Sequence, residues 1–250
     1  MEIEKYKRMY DLEDSYWWFV AKHKIVRSVI RYFYGEDTAG AYALDIGCGT
    51  GAFLDKMEQM DMKAYGLDMS REAVDFCRSR RKSRLLVGNV EGELPFRDNA
   101  FDIVTSLDVI EHVDDYRRVI EEACRVLRPG GILVITVPAF QFLWNQHDEV
   151  HHHKRRFVSK DIKAAIESTG DLRTLKLSYY NFFLFFVVCL FRILKKTFRW
   201  NGKRKDDFIS VPRLVNGLLC RIFSMESLFL KHLDFPFGVS IIAVARKGLR

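Results

Sequence analysis

The sequence predicts an α/β fold, a doubly wound sheet of seven strands covered by helices on both faces, and three observations point to it. Short apolar runs alternate with stretches of helical periodicity along most of the 250 residues, the pattern of strand–helix–strand units. A glycine-rich turn, Gly47-Cys48-Gly49-Thr50-Gly51, joins the first apolar run to the first periodic stretch. Two carboxylates, Asp45 and Asp68, stand at the ends of the first two runs, where open sheets of this class take their ligands.

Each element follows from its residues. Tyr16-Trp17-Trp18-Phe19 lies ahead of a helix with Ile25, Val26, Val29, Ile30 and Phe33 on one face, so 1–40 is expected to be a helical cap. Residues 41–46 give the first strand, and Ala52, Phe53, Leu54, Met57 and Met60 mark a helix near 52–61. A strand at 63–68, a helix at 70–81 and strands at 84–89 and 101–107 come next. Tyr116, Val119, Ile120, Ala123 and Leu127 share one face of a helix that Pro129-Gly130-Gly131 ends. Ile132 to Val137 is the fifth strand; Ser159, a plausible N-cap, opens a helix to Thr169; Leu172–Tyr179 and Ser240–Ala245 complete the sheet.

Composition bounds the setting. Five cysteines, odd in number and without a C-x-x-C pair, indicate neither a disulfide framework nor a zinc knuckle. The charged start, Met1-Glu2-Ile3-Glu4-Lys5, lacks the apolar core of a signal peptide, and a cytoplasmic protein is expected. Residues 151–250 carry 20 Lys and Arg against 7 Asp and Glu, whereas the first 150 carry 20 against 26, an asymmetry that favours an anionic partner.

Between the last two strands lies a segment far longer than a hairpin loop. With 41–181 and 238–250 as the core, 182–237 is an insertion. It opens with the apolar run Tyr179 to Phe191, interrupted by Asn181 and shorter than a membrane span needs. Arg192, Lys195, Lys196, Arg199, Lys203, Arg204 and Lys205 then give seven positive charges before Asp206, suited to anionic headgroups. A second amphipathic helix follows, capped by Ser210, with Val211, Leu214, Val215, Leu218, Leu219, Ile222 and Phe223 on one face. Contact with a membrane surface through 182–205, packing as a lid and a homodimer interface all fit this pattern. Nucleic acid does not, since a dense aliphatic and phenylalanine run is unlike a phosphate-tracking groove with isolated stacking aromatics.

By itself the glycine turn is ambiguous, because Gly47, Gly49 and Ala52 also fit the dinucleotide pattern G-x-G-x-x-G/A. Asp45 distinguishes the cofactors: a carboxylate there attracts a cationic amino group and repels a pyrophosphate. Six blocks then occur in order: Leu44 to Gly51, Gly66-Leu67-Asp68-Met69-Ser70, Gly88 to Glu91 leading to Leu94-Pro95-Phe96, Phe101-Asp102-Ile103-Val104, Asp108-Val109-Ile110-Glu111-His112-Val113, and Leu127-Arg128-Pro129-Gly130-Gly131. With these blocks the chain resembles the class I S-adenosylmethionine-dependent methyltransferases, whose Rossmann-like sheet is mostly parallel.

The resemblance implies S-adenosylmethionine as cofactor and S-adenosylhomocysteine as product. It implies that Asp45 holds the methionine amino group, that the Gly47, Cys48, Gly49 and Gly51 backbone lines methionine and ribose with its amides open to the ligand, and that Asp68 binds the ribose hydroxyls. Met69 would pack on adenine, the Asn89 side chain would meet the adenine amino group, and the Val90 amide the ring nitrogen; many relatives carry aspartate where Asn89 stands. Acceptors bind beyond the fourth strand in relatives, which makes Asp108 and His112 candidates there, His112 as a general base. No Asn-Pro-Pro-Tyr or Asp-Pro-Pro-Phe block follows that strand, against the methyltransferases of protein amides and DNA exocyclic amines.

The segment Trp144 to Phe157 resembles a His-Asp-Glu…His…Arg-Arg-aromatic block in a subset of bacterial and archaeal methyltransferases, and its composition suggests acceptor chemistry. His147 joins His112 and Asp108 as a candidate catalytic residue; His151, Arg155 and Arg156 are candidate acceptor contacts, the arginines as a grip for phosphate or carboxylate. No metal is expected, because the triplet His151-His152-His153 lacks standard ligand spacing. Trp17 and Trp18 are expected to wall an apolar acceptor. The whole implies a methyltransferase acting on a small apolar or lipid-linked acceptor, cytoplasmic and peripheral on the inner membrane face. Its alternatives are a soluble small-metabolite methyltransferase with a lid and a non-catalytic cofactor-binding accessory protein.

Overall fold

The structure, a computed structural model, describes residues 3–82, 84–197 and 211–249, without the side chains of 193–197. Seven strands form one sheet: β1 (Tyr42–Ile46), β2 (Lys63–Asp68), β3 (Leu85–Val87), β4 (Phe101–Leu107), β5 (Leu127–Pro138), β6 (Leu172–Tyr180) and β7 (Ser240–Lys247). Their order is β3-β2-β1-β4-β5-β7-β6; the first five pair in parallel, and β7 lies antiparallel to both β5 and β6. The strand order reverses direction at β1 and β4, so the carboxyl ends of these two strands flank the crevice where ligands of open sheets bind.

Helices cover both faces, as the alternating pattern requires. On one, α5 (Tyr116–Val126) and α7 (Ser159–Glu167) bury Val119, Ile120, Ile162 and Ile166 against β4, β5 and β7. On the other, α2 (Trp17–Tyr34) and α3 (Ala52–Glu58) bury Ile25, Val29, Leu54 and Met57. Two further helices, α1 (Ile3–Leu12) and α4 (Arg71–Ser79), pack together beside the glycine turn, where Tyr10 meets Phe76 at 5.1 Å between ring centres.

Several boundaries differ from those expected. The helix after the turn stops at Glu58, because Asp61 takes a left-handed φ of 58° and Met62 returns to the Met57 carbonyl. Ser70 is the cap of α4 and accepts from the Ala73 amide at 3.2 Å. Val158, not Ser159, occupies the N-cap position of α7; the Asp161 carboxylate accepts the Val158 amide at 3.2 Å, while Ser159 contacts the Tyr179 hydroxyl. Trp17, Trp18 and Phe19 lie within α2 rather than ahead of it. Residues 146–150 form a short helix, α6 (Gln146–Val150), capped by Asn145.

The apolar run from Tyr179 is divided: Tyr179 and Tyr180 end β6, Asn181 turns the chain with φ 57°, and α8 (Phe185–Thr197) begins beyond it. The insertion's other helix, α9 (Arg213–Phe229), starts after Pro212, and Ser210 with its expected cap lies outside the described residues. Arg199, Lys203, Arg204 and Lys205 lie outside them too, as do the side chains of Lys195 and Lys196. α9 lies along α2. Asn216 receives the Trp17 amide and donates to the Ser15 carbonyl, both at 2.9 Å; Ser28 donates to the Ser227 carbonyl; Phe223 is fully buried between Trp17 and Tyr180. Cap and insertion therefore share one packed layer.

Glu226 fastens that layer to the sheet. Its buried carboxylate accepts the Asn181 amide at 2.7 Å and the Phe183 amide at 3.1 Å, holding the chain where it leaves β6. Among the described residues no helix is long and apolar enough to cross a membrane.

Candidate active site

The glycine turn is shaped by close packing. Gly47, Gly49 and Gly51 all have positive φ, and a Cβ on Gly47 would stand 2.5 Å from a methyl of Val109, so no larger residue fits. Contrary to expectation, most of its amides are bonded within the protein. Gly47 and Cys48 donate to the Leu67 carbonyl, Gly51 to that of Cys48, and Gly49 to the Asp68 carboxylate at 2.9 Å. The Cys48 side chain packs under the turn, 3.9 Å from the Cys77 sulfur and away from any ligand above it. Helix α1 roofs the turn: the Met9 methyl lies over Gly49, and Thr50 donates to Glu13 in a short hydrogen bond.

Four acids converge on this edge of the sheet. Asp45, buried at the end of β1, accepts from the Thr105 hydroxyl at 2.5 Å; burial pushes its carboxyl up to about 7, against the pull of Thr105 and of Lys22. Glu13 is likewise raised to about 7 by burial, opposed by Thr50 and Arg80. Asp68 ends β2 with Oδ2 on the Gly49 amide and Oδ1 on the Ser70 amide, and burial raises it too. Asp108, just past β4 with φ 58°, pairs with the Lys22 ammonium at 2.9 Å and accepts from Thr136 at 3.0 Å. Lys22 also lies over the Trp18 ring, 4.4 Å from its centre.

The adenine side is open. Met69 is 61% exposed, and Asn89 is exposed with its side-chain oxygen turned to the Glu91 amide, whereas Val90 is buried. Trp17 stands apart: it packs on Phe223 of α9, away from the acids, while Trp18 reaches the pocket through Lys22.

Beyond β4 the structure gathers a second group. Glu111 is completely buried, and neither of its carboxylate oxygens has a hydrogen-bond partner among the described residues. Burial and the Asp108 charge hold its carboxyl well above the usual range. His112 lies beside it, its ring centre 4.7 Å from that of His153. Burial, with His153 and His151 nearby, pushes His112 down to about 3, which leaves it neutral and a weak base at neutral pH. Burial likewise holds His147 well below the usual imidazole range, and its ring sits 4.2 Å from that of His151.

Both arginines of the loop make internal hydrogen bonds, and Arg156 is spent on a buried carboxylate rather than placed to grip an acceptor anion. Arg156 is buried; its Nε and Nη2 meet Asp148 at 2.8 and 3.1 Å and its Nη1 donates to the Ala139 carbonyl. Arg155 donates to the Val113 and Asp114 carbonyls, each at 3.1 Å. The Lys154 amide bonds the Glu111 carbonyl at 2.8 Å, which brings His153 to His112. The expectation of no metal considered only spacing within the histidine loop. Ligand atoms of Glu111, His112 and His153 lie within 4.8 Å of one another, and two of these residues come from the β4 edge.

Sequence reasoning missed Lys22 and Glu13 as pocket residues. Lys22 sits on a helix whose apolar face was the visible signal, and Glu13 precedes that helix with no pattern of its own. Glu111 lies in the Asp108 to Val113 block, yet only burial without a hydrogen-bond partner among the described residues sets it apart.

The chain matches the family described as "Methyltransferase domain" over residues 44–135. A Bos taurus protein named "Probable tRNA methyltransferase 9B" is 34% identical over 132 residues, 52% of this chain and 27% of that protein. A ubiquinone biosynthesis O-methyltransferase of Shewanella sp. (strain ANA-3) is 28% identical over 198 residues, 69% of this chain and 81% of that protein. The first curated relatives are thus longer, the chain spanning 27% to 47% of their length. In fold, the chain is similar to a structure from the complex between the Haloferax volcanii Trm112 methyltransferase activator and a methyltransferase, with TM-score 0.62, 19% identity and 98% and 94% of the two chains covered. Domain match, block order and strand order agree: residues 44–135 form a methyltransferase domain, and the chain has the fold of the class I S-adenosylmethionine-dependent methyltransferases.

Proposed function

We propose that the protein transfers a methyl group from S-adenosylmethionine to a small apolar or lipid-linked acceptor bound between the N-terminal cap, the turn at 108–113 and the insertion 182–237. The observation that carries this reading is the pair Asp45 and Asp68 at adjacent strand ends beside the glycine turn. Asp45 is a buried acid whose ionised form lacks a full counter-charge, which fits an ammonium group, and Asp68 presents carboxylate oxygens to a diol. The bonded amides of Gly47, Cys48 and Gly49 leave side chains, not backbone donors, to hold the cofactor's polar groups.

When bound, the cofactor supplies an electrophilic methyl on a sulfonium. The chain's own part is alignment and exclusion of water, effects that supply much of the rate of such displacements. On α2, Lys22 lies over the Trp18 and Phe19 rings and is anchored on Asp108, so these side chains would shield the bound methyl from water. His112 lies on the turn beyond β4 with its ring against that of His153, a position from which it would orient an acceptor.

The apolar acceptor is supported by the insertion. On α8, Phe186, Val187, Leu190 and Phe191 are exposed, and on α9, Leu214, Val215, Leu218, Met225, Leu228 and Phe229. Exposed apolar side chains along both helices fit an interaction surface, and the aliphatic and phenylalanine chemistry fits acyl chains better than nucleic acid. The ubiquinone biosynthesis O-methyltransferase among its relatives supports an apolar acceptor as well. A cytoplasmic protein peripheral on the membrane follows from this reading.

Calorimetry with S-adenosylmethionine tests the pocket: Asp68→Ala should weaken binding by at least tenfold, on the order of the 1–3 kcal/mol lost with a charge-assisted hydrogen bond. Equal binding by both proteins removes the assignment. Flotation with anionic vesicles separates the lipid reading from a plain lid, since Leu214→Asp with Leu218→Asp should abolish flotation and leave cofactor binding intact. If cell lipid and metabolite extracts never yield S-adenosylhomocysteine, the non-catalytic accessory reading replaces both.

A further inference from the structure

We propose that Glu111, His112 and His153 form a binding site for a divalent transition-metal ion, on grounds independent of the methyl-transfer reading. One ligand atom from each lies within 4.8 Å of the others. In a tetrahedral site with bonds of about 2.1 Å the ligand atoms stand roughly 3.4 Å apart, so modest side-chain rotation closes the group around an ion.

Glu111 carries the argument. It is completely buried, and both carboxylate oxygens lack hydrogen-bond partners among the described residues. Protonation does not remove the difficulty, because the neutral acid still offers one O–H donor and a carbonyl acceptor with nothing to meet. A buried polar group left without partners is costly and is retained where something else satisfies it. The two imidazoles beside it identify that partner as a cation with affinity for nitrogen, of the zinc, cobalt or nickel kind, rather than calcium or magnesium.

The surroundings are those of a metal site as well. His153 Nδ1 faces Asp148 Oδ1 at 2.9 Å, so the proton shared on that side leaves the Nε2 lone pair available. Asp148 is itself buried and fixed by Arg156 and by the Asn145 amide at 2.8 Å. This chain of carboxylate, histidine and centre is the outer-shell arrangement that orients metal ligands and raises their basicity. With three protein ligands the ion keeps an open position for water or an acceptor oxygen.

Metal binding itself is the test, and it needs neither cofactor nor acceptor. Untagged protein is stripped with chelator and titrated by calorimetry with Zn²⁺ and Ni²⁺, and with Co²⁺ followed by its visible absorption. One ion per chain is expected. Glu111→Gln and His153→Gln should each weaken binding by at least about tenfold, the scale seen when even an outer partner of a ligand is lost. His232→Asn, remote beside Tyr32, should bind as the parent does. Glu111→Gln removes a buried acid without changing shape and is expected to fold, which circular dichroism checks; should it fail, His153→Gln decides. Equal affinity in the parent and the decisive variant, or loss of the ion in His147→Asn or His151→Asn with Glu111→Gln unaffected, overturns the proposal.

Discussion

Lys22 on α2 and Asp108 at the end of β4 form an ion pair of 2.9 Å, with side chains only 7% and 19% exposed. The pair ties the N-terminal cap to the strand edge where the acceptor is proposed to bind. Removing one partner of a buried pair leaves the other charge unmatched, at a cost of about 3 kcal/mol or more. Lys22→Met is therefore expected to lower the denaturation midpoint markedly, and Lys22→Met with Asp108→Asn to recover much of it. A double-mutant cycle in urea reads the coupling; additive losses would show that the pair does not act as a unit.

Gly47 faces Val109 so closely that an added methyl would stand 2.5 Å from the Val109 side chain, and its φ is 71°. Gly47→Ala should cost about 2 kcal/mol of stability or more and displace Asp45, the second residue before it. Thermal unfolding and cofactor titration together check this. Gly170, with open space around it, gives the contrast: alanine there meets only the backbone penalty.

Asp45 and Glu13 are both raised to about 7, whereas in the unfolded chain they titrate near about 4. Between these values the folded protein binds more protons than the unfolded one, so stability falls as pH rises from about 4 to 7 and is level above. An ammonium ligand favours ionised Asp45. Cofactor affinity should therefore rise with pH up to about 7, with proton release on binding, and Asp45→Asn should flatten that dependence. Calorimetry in two buffers of different ionisation enthalpy measures the protons released.

Glu226 joins α9 to the exit of β6, and burial pushes it up to about 7 against the amides of Phe183 and Asn181. Its sign is the same: the anchor is most stable below the unfolded carboxyl value and weakens as pH rises through about 7. Glu226→Ala leaves the buried Asn181 amide and the part-buried Phe183 amide unmatched, at about 1–3 kcal/mol, and should raise hydrogen exchange in 181–188 and α9 well before the sheet. Exchange unchanged in those segments would show that α9 is held by its packing on α2 alone.

Much of the fold was legible because it rests on local signals. Strand and helix periods, the glycine turn and the acids at strand ends lie in short windows, and all seven strands overlap the apolar runs, although β5 already begins at Leu127 and includes Pro129-Gly130-Gly131, read from the sequence as the end of the helix. Boundaries slipped where a cap or left-handed residue decided them, as at Asp61 and Val158. The candidate site was legible in part: Asp45 and Asp68 stand beside the turn, but the turn's amides are bonded to Leu67 and Asp68, a long-range pairing that no window contains.

By itself the sequence determined the α/β class, the acids and glycines at the first two strand ends, and an apolar insertion before the last strand. Only the tertiary structure decided that α9 lies along α2, that Arg156 is buried on Asp148, and that Glu111 and His112 meet His153. The physical reason is separation along the chain. A period of two or 3.6 residues states which face of an element is apolar, whereas the partner of a buried charge is chosen by packing between segments some forty to two hundred residues apart, through contacts such as Lys154 with Glu111 and Asn216 with Trp17.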